Sequence, residues 1–281
     1  MSDKTSNAEG GARYQRLLLT GAGGGLGKVL RPRLAAFAAT VRVSDLAAAL
    51  AGAENTAPHE EVQPCDLADR AAVDALVAGC DAIVHLGGVS VERPFEEILE
   101  ANIKGVFHIY EAARRHGVKR VIFASSNHVT GFYRQDQVID SHDLRRPDGY
   151  YGLSKSYGED MAQLYFDRYG IQTVSIRIGN SFPTAKDRRA LACWLSYDDL
   201  TELLRCSLFT PQVGHTVVYG MSDNNGVWWN NRHAAHLGFV ARDSSEPFRA
   251  AVEAQPLPAA DDPVRLYQGG MFTVTGPFEP Q

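Results

Sequence analysis

A tyrosine and a lysine four residues apart, in the run GYYGLSKSYGED, have the types and spacing for acid–base chemistry. Residues four apart lie on the same side of a helix, so Tyr151 and Lys155 are expected to share one face. A nearby ammonium group favours phenolate over phenol, which makes a tyrosine a usable base near neutral pH. Such a base suits removal of a proton from an alcohol whose hydride leaves to another acceptor. Tyr150 is the weaker candidate, because Ser154 and not a lysine stands four residues after it.

A glycine-rich turn near the N-terminus has the spacing of a dinucleotide site. In RLLLTGAGGGLGKVL, the apolar run 17–19 predicts a buried strand, and glycines follow at the spacing G-x-x-G-x-x-G. Such glycines permit a tight turn, let backbone approach a pyrophosphate, and let a helix pack close to the strand. The N-terminus of that helix offers free N–H groups to phosphates. The residues predicted to bind the cofactor here are Gly21, Gly24, Gly25, Leu26 and Gly27.

An acidic residue closes the second predicted strand, TVRVSD. Asp45 lies 24 residues after Gly21, close to the spacing of about 20 at which a carboxylate meets the adenosine ribose. A carboxylate there accepts hydrogen bonds from the ribose diol and repels a 2′-phosphate, which predicts NAD rather than NADP. The alternative is a helix-capping aspartate. Arg42 is expected on the opposite face of the strand, since strand residues alternate.

The composition bounds the class of protein. The chain has 281 residues, of which 44% are hydrophobic, with a formal net charge of −5 and a pI near 6.0. These values argue against nucleic acid or an anionic membrane as a partner. Cys65, Cys80, Cys193 and Cys206 form no C-x-x-C pair, so neither zinc nor a disulfide framework is indicated. We expect a cytoplasmic protein, with residues 1–13 as a disordered leader.

Strand-like and helix-like runs alternate along the chain. The predicted strands are 17–20, 41–44, 61–65, 82–86, 121–125 and 173–178, and the clearest predicted helices are 68–77, 95–116 and 151–169. This alternation predicts an α/β fold, a Rossmann-type doubly wound parallel sheet with a small C-terminal substrate-binding region. Residues 14–178 are expected to form the NAD-binding core. Residues 179–281 are expected to be mainly substrate-side and partly to return to the core.

The pattern after residue 178 is less regular. Residues 179–194 are expected to form a polar loop, and SYDDLTELLRCSL predicts a helix capped by Ser196 or Asp198. HTVVYG is strand-like. The Trp228–Trp229 pair is expected in the core or at a subunit contact rather than as a sugar platform.

Several segments together resemble one family. TGAGGGLG, CDLAD, IVHLGG, ANIKG, FASSNHV and YGLSK, in this order, resemble the extended short-chain dehydrogenases/reductases. Within that superfamily, IVHLGGVSVERPF, FASSNHVTGFY, RIGNSFPTAKDRR, WLSYDDL and WWNNRHAAHLGF are similar to uronate dehydrogenases. Those enzymes oxidise the anomeric carbon of galacturonate or glucuronate with NAD and give an aldarolactone. The resemblance implies this activity, NAD as cofactor, a small sugar acid as substrate and a homo-oligomer.

The resemblance also implies roles for individual residues. The catalytic group would be Tyr151, Lys155, Ser126 and Asn102. Further cofactor contacts would come from Asp66, Leu67, Leu86, Gly87 and Gly88, together with Asn102, Tyr151 and Lys155. Ser125 would face the cofactor. Substrate contacts would come from Ser90, Ser126, Asn127, His128, Tyr151, Asn180 and Arg189.

Three of these substrate residues have competing interpretations. A guanidinium binds a carboxylate through two hydrogen bonds, which favours Arg189 as the sugar-acid anchor, with Arg188 as the rival and a solvated loop as the alternative. His128 is expected to hydrogen-bond the substrate, the alternative being a packed loop histidine, and no metal site is expected. Asn180 stands where relatives often have serine, and its amide keeps donors and an acceptor.

The function predicted from the sequence is therefore NAD-dependent oxidation of a hexuronic acid. One rival is an NAD-dependent sugar-nucleotide epimerase of the same superfamily, which would need room for a nucleotide diphosphate. The other is a non-catalytic NAD-sensing regulator, which the retained Tyr151 and Lys155 argue against.

Overall fold

The computed structural model describes residues 13–52, 57–276 and 278. The expected leader at 1–13 lies outside this part of the chain except for Arg13. The guanidinium of Arg13 donates to the Ala38 carbonyl at 2.8 Å.

Strands and helices alternate through most of the described chain. The strands are β1 (Tyr14–Thr20), β2 (Ala38–Ser44), β3 (Glu60–Val62), β4 (Ala82–His85), β5 (Arg120–Ser126), β6 (Ile139–Asp140), β7 (Gln172–Ile178), β8 (His215–Gly220) and β9 (Trp229–Asn230). The helices are α1 (Gly25–Leu34), α2 (Arg70–Val77), α3 (Phe95–Ile98), α4 (Gly105–His116), α5 (Tyr150–Tyr169), α6 (Arg188–Cys193), α7 (Tyr197–Phe209), α8 (Arg249–Glu253) and α9 (Pro263–Leu266).

Seven of the described strands form a parallel sheet in the order β3-β2-β1-β4-β5-β7-β8. The chain builds outward from β1 to β3 and then returns to place β4 on the other side of β1. A reversal of this kind leaves a crevice at the carboxyl ends of the two central strands. The predicted Rossmann-type doubly wound sheet is confirmed. β6 and β9 form a separate two-stranded parallel ladder.

Apolar side chains cover both faces of the sheet. On one face, Leu17 and Leu19 of β1 pack with residues of α1 and α7. On the other face, Leu18 of β1 and Phe123 of β5 pack with residues of α2, α4 and α5. Because alternate residues of one strand enter opposite layers, the apolar run of β1 is explained by burial on both sides.

The sequence predicted most elements, and three details differ. The strand expected at 61–65 is β3, only Glu60–Val62. The helix expected at 95–116 is helical throughout, but a π-helical segment, Leu99–Lys104, joins α3 to α4. The polar loop expected at 179–194 is wrong in part, since α6 begins after Asp187, whose side chain accepts from the Ala190 N–H and so favours a helix start.

The chain after β7 returns to the sheet, as expected. The predicted cap of α7 is Ser196, whose hydroxyl accepts from the Asp199 N–H at 2.9 Å, and the strand-like HTVVYG is β8. Trp228 and Trp229 are buried in the core, where Trp229 stacks on Tyr219. Among the helices of the described residues, none has the length and apolar character that a bilayer crossing requires.

Candidate active site

Tyr151 and Lys155 lie in the first turns of α5, beside the end of β5. Both side chains are buried, and the Lys155 Nζ is 5.6 Å from the centre of the Tyr151 ring. Lys155 donates to the Ala124 carbonyl at 2.8 Å. Ser126, the last residue of β5, lies beside Tyr151 and acts to lower its pKa, and its hydroxyl accepts from the His128 N–H at 3.2 Å. The structure thus brings three of the four predicted catalytic side chains together.

Burial governs the ionisation of this group. It raises the pKa of Tyr151 to about 12, although the hydrogen bond with Ser126 acts in the opposite direction. It also lowers the pKa of Lys155 to about 8. Desolvation disfavours charge on both groups, so the pKa of Tyr151 is raised and not lowered as the spacing to Lys155 predicts. A phenolate at Tyr151 needs further positive charge in the site.

Asn102, the fourth predicted catalytic residue, lies in the π-helical segment. Its side-chain oxygen accepts from the Val89 N–H at 2.8 Å, and its nitrogen donates to the Val89 carbonyl and to the Ser154 hydroxyl. Asn102 therefore fixes the loop after β4 against α5. π-helical turns occur frequently at functional sites, and the predicted part of Asn102 in a proton relay stays a prediction.

The glycine-rich turn packs tightly against the loop after β4. Gly21 has a φ of 71°, and a Cβ there would meet the Gly87 nitrogen at 2.8 Å. A Cβ on Gly27 would collide with the Gly21 carbonyl oxygen. At Gly25, the first residue of α1, the space a Cβ would occupy is open. The turn therefore packs tightly at Gly21 and Gly27 and leaves the N-terminus of α1 accessible at Gly25. A dinucleotide phosphate needs such an accessible helix N-terminus.

Asp45 lies at the rim of the same crevice. Its carboxylate accepts from the Gly23 N–H at 3.0 Å and from the Leu46 N–H at 2.8 Å. A cavity of about 160 Å³ lies beside it, and the predicted cofactor residues that line it are Gly21, Asp45, Asp66, Leu67, Gly87 and Gly88. A partly open cavity lined by a carboxylate and by glycines has the chemistry to receive part of a dinucleotide. Of the other predicted cofactor residues, Gly24 is exposed, and Leu26 and Leu86 are half-buried.

The two candidate arginines of α6 point to different surroundings. The Arg189 Nε donates to the Gln268 carbonyl at 2.5 Å. In the amide orientation that satisfies both groups, the Asn127 side-chain oxygen accepts from Arg189 at 2.7 Å. Arg188 instead donates to the Glu253 and Gln255 carbonyls. Arg189 is therefore the arginine on the side of Asn127 and the catalytic group.

His128 is buried between the catalytic tyrosine and the C-terminal part of the chain. Its Nδ1 is 2.6 Å from the Asp148 Oδ2. Its ring stacks on Phe272 with centres 3.8 Å apart and meets Tyr151 edge-on at 5.8 Å. Burial lowers the pKa of His128, and the Asp148 carboxylate opposes that shift.

The remaining substrate-side predictions have mixed outcomes. Ser90 is exposed in the loop after β4. Asn180 is half-buried, and its backbone bonds Cys193 and Leu195, so its side-chain role stays a prediction. The Ser125 hydroxyl donates to Glu159 of α5 at 2.7 Å, and the expectation that Ser125 faces the cofactor stays a prediction. In the described part of the chain, no three His, Cys, Asp or Glu side chains are grouped for a metal ion.

Comparisons with known proteins show the family of this chain. The model of the NAD dependent epimerase/dehydratase family matches residues 17–196. A uronate dehydrogenase of Pseudomonas putida is 68% identical over 265 residues, which cover 94% of this chain and 98% of that protein. The structure of a glucuronic acid dehydrogenase from Chromohalobacter salexigens has a TM-score of 0.91 at 49% identity, covering 94% of this chain and 98% of that one. The chain belongs to the uronate dehydrogenases of this family.

A third relative bears on the cofactor. A mutant of the uronate dehydrogenase from Agrobacterium tumefaciens, complexed with NAD, has a TM-score of 0.90 at 45% identity, covering 95% of this chain and 99% of that one. The likeness of this chain to uronate dehydrogenases thus extends over nearly its full length, and one of the similar structures holds NAD.

Four further residues that contact the predicted site residues were not found from the sequence. The Glu92 carboxylate accepts from the Tyr150 N–H at 2.7 Å and from the Tyr151 N–H at 2.9 Å, so it caps α5. The others are Asp148, Gln268 and Phe272. Asp148 just before α5 was the one local signal, since an acidic residue often precedes a helix. Glu92 and the C-terminal residues lie far from α5 in sequence, and no spacing rule connects them to it.

Proposed function

We propose that the protein oxidises a hexuronic acid, galacturonate or glucuronate, at its anomeric carbon with NAD, giving an aldarolactone. The observation that carries the proposal is the position of Arg189. Its half-buried guanidinium donates to the Gln268 carbonyl and lies beside Asn127, and no carboxylate among the described residues forms an ion pair with it. A half-buried cation without an anionic partner is unfavourable. A substrate carboxylate would satisfy it.

The cofactor would be held in the crevice between β1 and β4. Gly21, Gly24, Gly25, Leu26 and Gly27 would bind the pyrophosphate, and Asp45 the adenosine ribose. Asp66 and Leu67 would line the adenine pocket, and Leu86, Gly87 and Gly88 the nicotinamide side. When bound, NAD supplies a hydride acceptor whose oxidised ring carries positive charge. That charge would add to Lys155 in stabilising a phenolate, which burial alone disfavours.

The chain's own residues would then handle the proton. Tyr151 takes the proton of the anomeric hydroxyl, and Ser126 hydrogen-bonds the same oxygen. Lys155, held by the Ala124 carbonyl, places its positive charge behind the phenol. Asn127 and His128 bind sugar hydroxyl groups, with Ser90 and Asn180 at the edge of the site, while Arg189 binds the carboxylate. Water is kept out by Phe272, which covers His128.

A panel of sugars with NAD tests the proposal, followed through the absorbance of NADH. We expect NADH with galacturonate or glucuronate, a far smaller signal with glucose, and loss of about 100- to 10,000-fold in rate for Tyr151→Phe, with NAD binding intact. Tightly retained NADH without release would favour a sugar-nucleotide epimerase. NAD binding without turnover of any uronate would favour a regulator and overturn the proposal.

Location and assembly are proposed on separate grounds. All four cysteines are buried and free, which is typical of proteins from reducing compartments such as the cytoplasm. We also expect a homo-oligomer, as the resemblance to uronate dehydrogenases implies, and light scattering would measure its mass.

A further inference from the structure

His128 and Asp148 form a buried acid–imidazole pair within the proposed substrate site. The Asp148 side chain is fully buried, the His128 side chain is only 10% exposed, and their polar atoms are 2.6 Å apart. Two glycines make room for this carboxylate: a Cβ at Gly131 or at Gly269 would collide with it. The two glycines are themselves joined, since the Gly269 N–H donates to the Gly131 carbonyl at 2.8 Å. The pocket around Asp148 is therefore built from two distant parts of the chain.

The hydrogen bond determines which histidine nitrogen carries the proton. An ionised carboxylate only accepts hydrogen bonds, so the Nδ1 of His128 must be the donor to Asp148. In a neutral ring, Nε2 then carries a lone pair. Within the described residues, the second oxygen of Asp148, Oδ1, has no hydrogen-bond partner. The side-chain hydrogen bond of Asp148 is therefore the one with His128.

We propose that Asp148 is a positioning residue: it holds His128 as the Nδ1–H tautomer, so that Nε2 accepts a hydrogen bond from a substrate hydroxyl group. This inference rests on the proposed function, because it takes a sugar acid to bind beside Tyr151. Phe272 fixes the plane of the imidazole ring by stacking on it. Neither Asp148 nor Phe272 needs to touch the substrate.

The charges around His128 favour its neutral form. Asp148, in the loop before α5, and Glu92, in the loop after β4, stabilise the imidazolium, whereas burial and Arg189 of α6 oppose it. Burial is the largest of these effects, and the pKa of His128 lies below its ordinary value. Tyr151 faces the ring edge as a neutral phenol. The acceptor is therefore present at neutral pH and is lost when acidification protonates Nε2.

The pH dependence has a defined sign. When the pH falls below the pKa of His128, the plot of log kcat/KM for a uronate against pH should become steeper. The reason is that protonation of Nε2 removes the hydrogen-bond acceptor, in addition to the protonation of the base Tyr151. This change of slope is the break in the pH profile. Asp148 stabilises the imidazolium, so Asp148→Asn should lower the pKa of His128 and move that break to lower pH. In His128→Ala the break should vanish. A merely structural role for Asp148 would lower activity without moving it.

A double-mutant cycle on kcat/KM separates the two possibilities. Asp148→Asn and His128→Ala should each lower kcat/KM for glucuronate by about 10- to 100-fold. The double variant should be no worse than His128→Ala, since Asp148 acts through His128. NAD affinity should be unchanged in all three. Asp136→Asn, which removes an exposed carboxylate, is the matched control and should leave kcat/KM unchanged. Losses that multiply in the double variant, with an unmoved break, would overturn the inference.

A measurement without turnover keeps the inference testable if Asp148→Asn does not fold. In the wild-type protein, nitrogen chemical shifts of labelled histidines, assigned through His128→Ala, report the tautomer directly. We expect a protonated Nδ1 and an unprotonated Nε2 at neutral pH. The opposite tautomer, or an imidazolium, would overturn the inference even if uronate turnover is found. Absence of uronate turnover together with the expected tautomer would instead count against the proposed function.

Discussion

Single residues in this site carry charge in surroundings that disfavour it. Lys155 of α5 is buried and donates to one carbonyl, that of Ala124. Arg189 is half-buried, and no carboxylate among the described residues forms an ion pair with it. The NAD and sugar acid that we propose to bind there would explain both arrangements. Residues retained for such binding commonly reduce the stability of the free protein.

Replacing Lys155 by methionine should stabilise the protein in the absence of NAD. Burial lowers the Lys155 pKa from 10.5 to about 8, so the unfolded chain binds more protons between those values. The cost of Lys155 is therefore fully present below pH 8, where it is about 3 kcal/mol, and is relieved as pH rises from about 8 to 10.5. Urea unfolding at several pH values measures it.

Lys28→Met, at an exposed position of α1, is the control, and its free energy of unfolding should stay close to that of the wild type. We also expect Lys155→Met to be inactive. A less stable Lys155→Met protein at pH 7 would show that the ammonium group is better solvated than its burial indicates.

Arg189→Ala should discriminate between acid and neutral sugars. Loss of a charged hydrogen-bonding partner costs about 3 kcal/mol, or roughly 100-fold in kcat/KM, for glucuronate. The loss for glucose should be small, and NAD affinity should barely change. Arg189→Lys should already lose activity, because lysine lacks the planar fork.

The neighbouring Arg188→Ala is the matched control, since Arg188 bonds the Glu253 carbonyl instead. Its effect should be similar for both sugars. An equal loss on both sugars in Arg189→Ala would mean that this residue shapes the loop and does not bind the acid.

Elements act on the site through their ends and their anchoring points. Glu92 accepts from the Tyr150 and Tyr151 N–H groups at the N-terminus of α5 and so fixes the first turn, which carries Tyr151. The segment after α9 runs along residues 131–137, with the Gln268 N–H donating to the Tyr133 carbonyl at 2.8 Å. Anchored in this way, it brings the Gln268 carbonyl to Arg189 and the Phe272 ring to His128.

Gln268→Glu should loosen this segment. The Gln268 amide is fully buried, donates to the Arg134 and Gln137 carbonyls and accepts from the Trp229 indole. A carboxyl group would face two carbonyl oxygens and leave them without donors, at a cost of about 1–3 kcal/mol. We expect a lower melting temperature and a raised KM for glucuronate, with a smaller change in kcat.

Gln255→Glu serves as the control for that change. Its amide is exposed and donates to the Lys186 carbonyl, so melting temperature and KM should stay near the wild-type values. A Gln268→Glu protein with unchanged KM would show that the C-terminal segment does not orient Arg189.

The turn between β1 and α1 and the end of β2 should set cofactor preference together. Asp45→Asn removes the charge that repels a 2′-phosphate but keeps an oxygen for the Gly23 or Leu46 N–H. The ratio of kcat/KM for NAD to that for NADP should fall by about 10-fold. Asp66→Asn should leave the ratio unchanged, because the Asp66 side chain accepts a hydrogen bond from the Ala68 N–H. A wild-type preference for NADP would contradict the assignment of Asp45.

At the scale of the molecule, a buried polar network links the sheet to the loop that carries Asn127 and His128. Glu159 of α5 accepts from Ser125 and from two nitrogens of Arg177. Arg177 donates to the Tyr219 hydroxyl at 2.9 Å, and that hydroxyl bonds Thr130 at 3.1 Å. Thr130 in turn donates to the Asn127 carbonyl. The core thus holds the loop that carries Asn127 and His128.

Glu159→Gln should destabilise the whole fold by about 3–5 kcal/mol, because it leaves the buried Arg177 unpaired. Burial raises the pKa of Glu159, yet the bonds from Arg177 outweigh it and lower the pKa below 4.5. Its stabilising contribution is therefore present above about pH 4.5 and is lost as pH falls through the lower folded value. The difference in unfolding free energy between wild type and variant should shrink on acidification.

Asp160→Asn, at the adjacent exposed position, is the control and should cost far less, since Asp160 is 65% exposed in its pair with Arg145. If Glu159→Gln were equally mild, the buried pair would contribute nothing to the stability of the fold.

The sequence by itself determined the features that depend on local spacing. The glycine turn, Asp45 at the end of β2, Tyr151 and Lys155 on one helix face, and the alternation that builds the parallel sheet could all be predicted, because each follows from turn chemistry or periodicity. Tertiary structure alone decided which distant side chains complete the site. Glu92, Gln268 and Phe272 reach α5 and His128 through the paths of loops, which follow no periodicity. Tertiary structure also decided the protonation of Tyr151, because burial raises its pKa to about 12, and burial belongs to the packed molecule and not to the spacing of two residues.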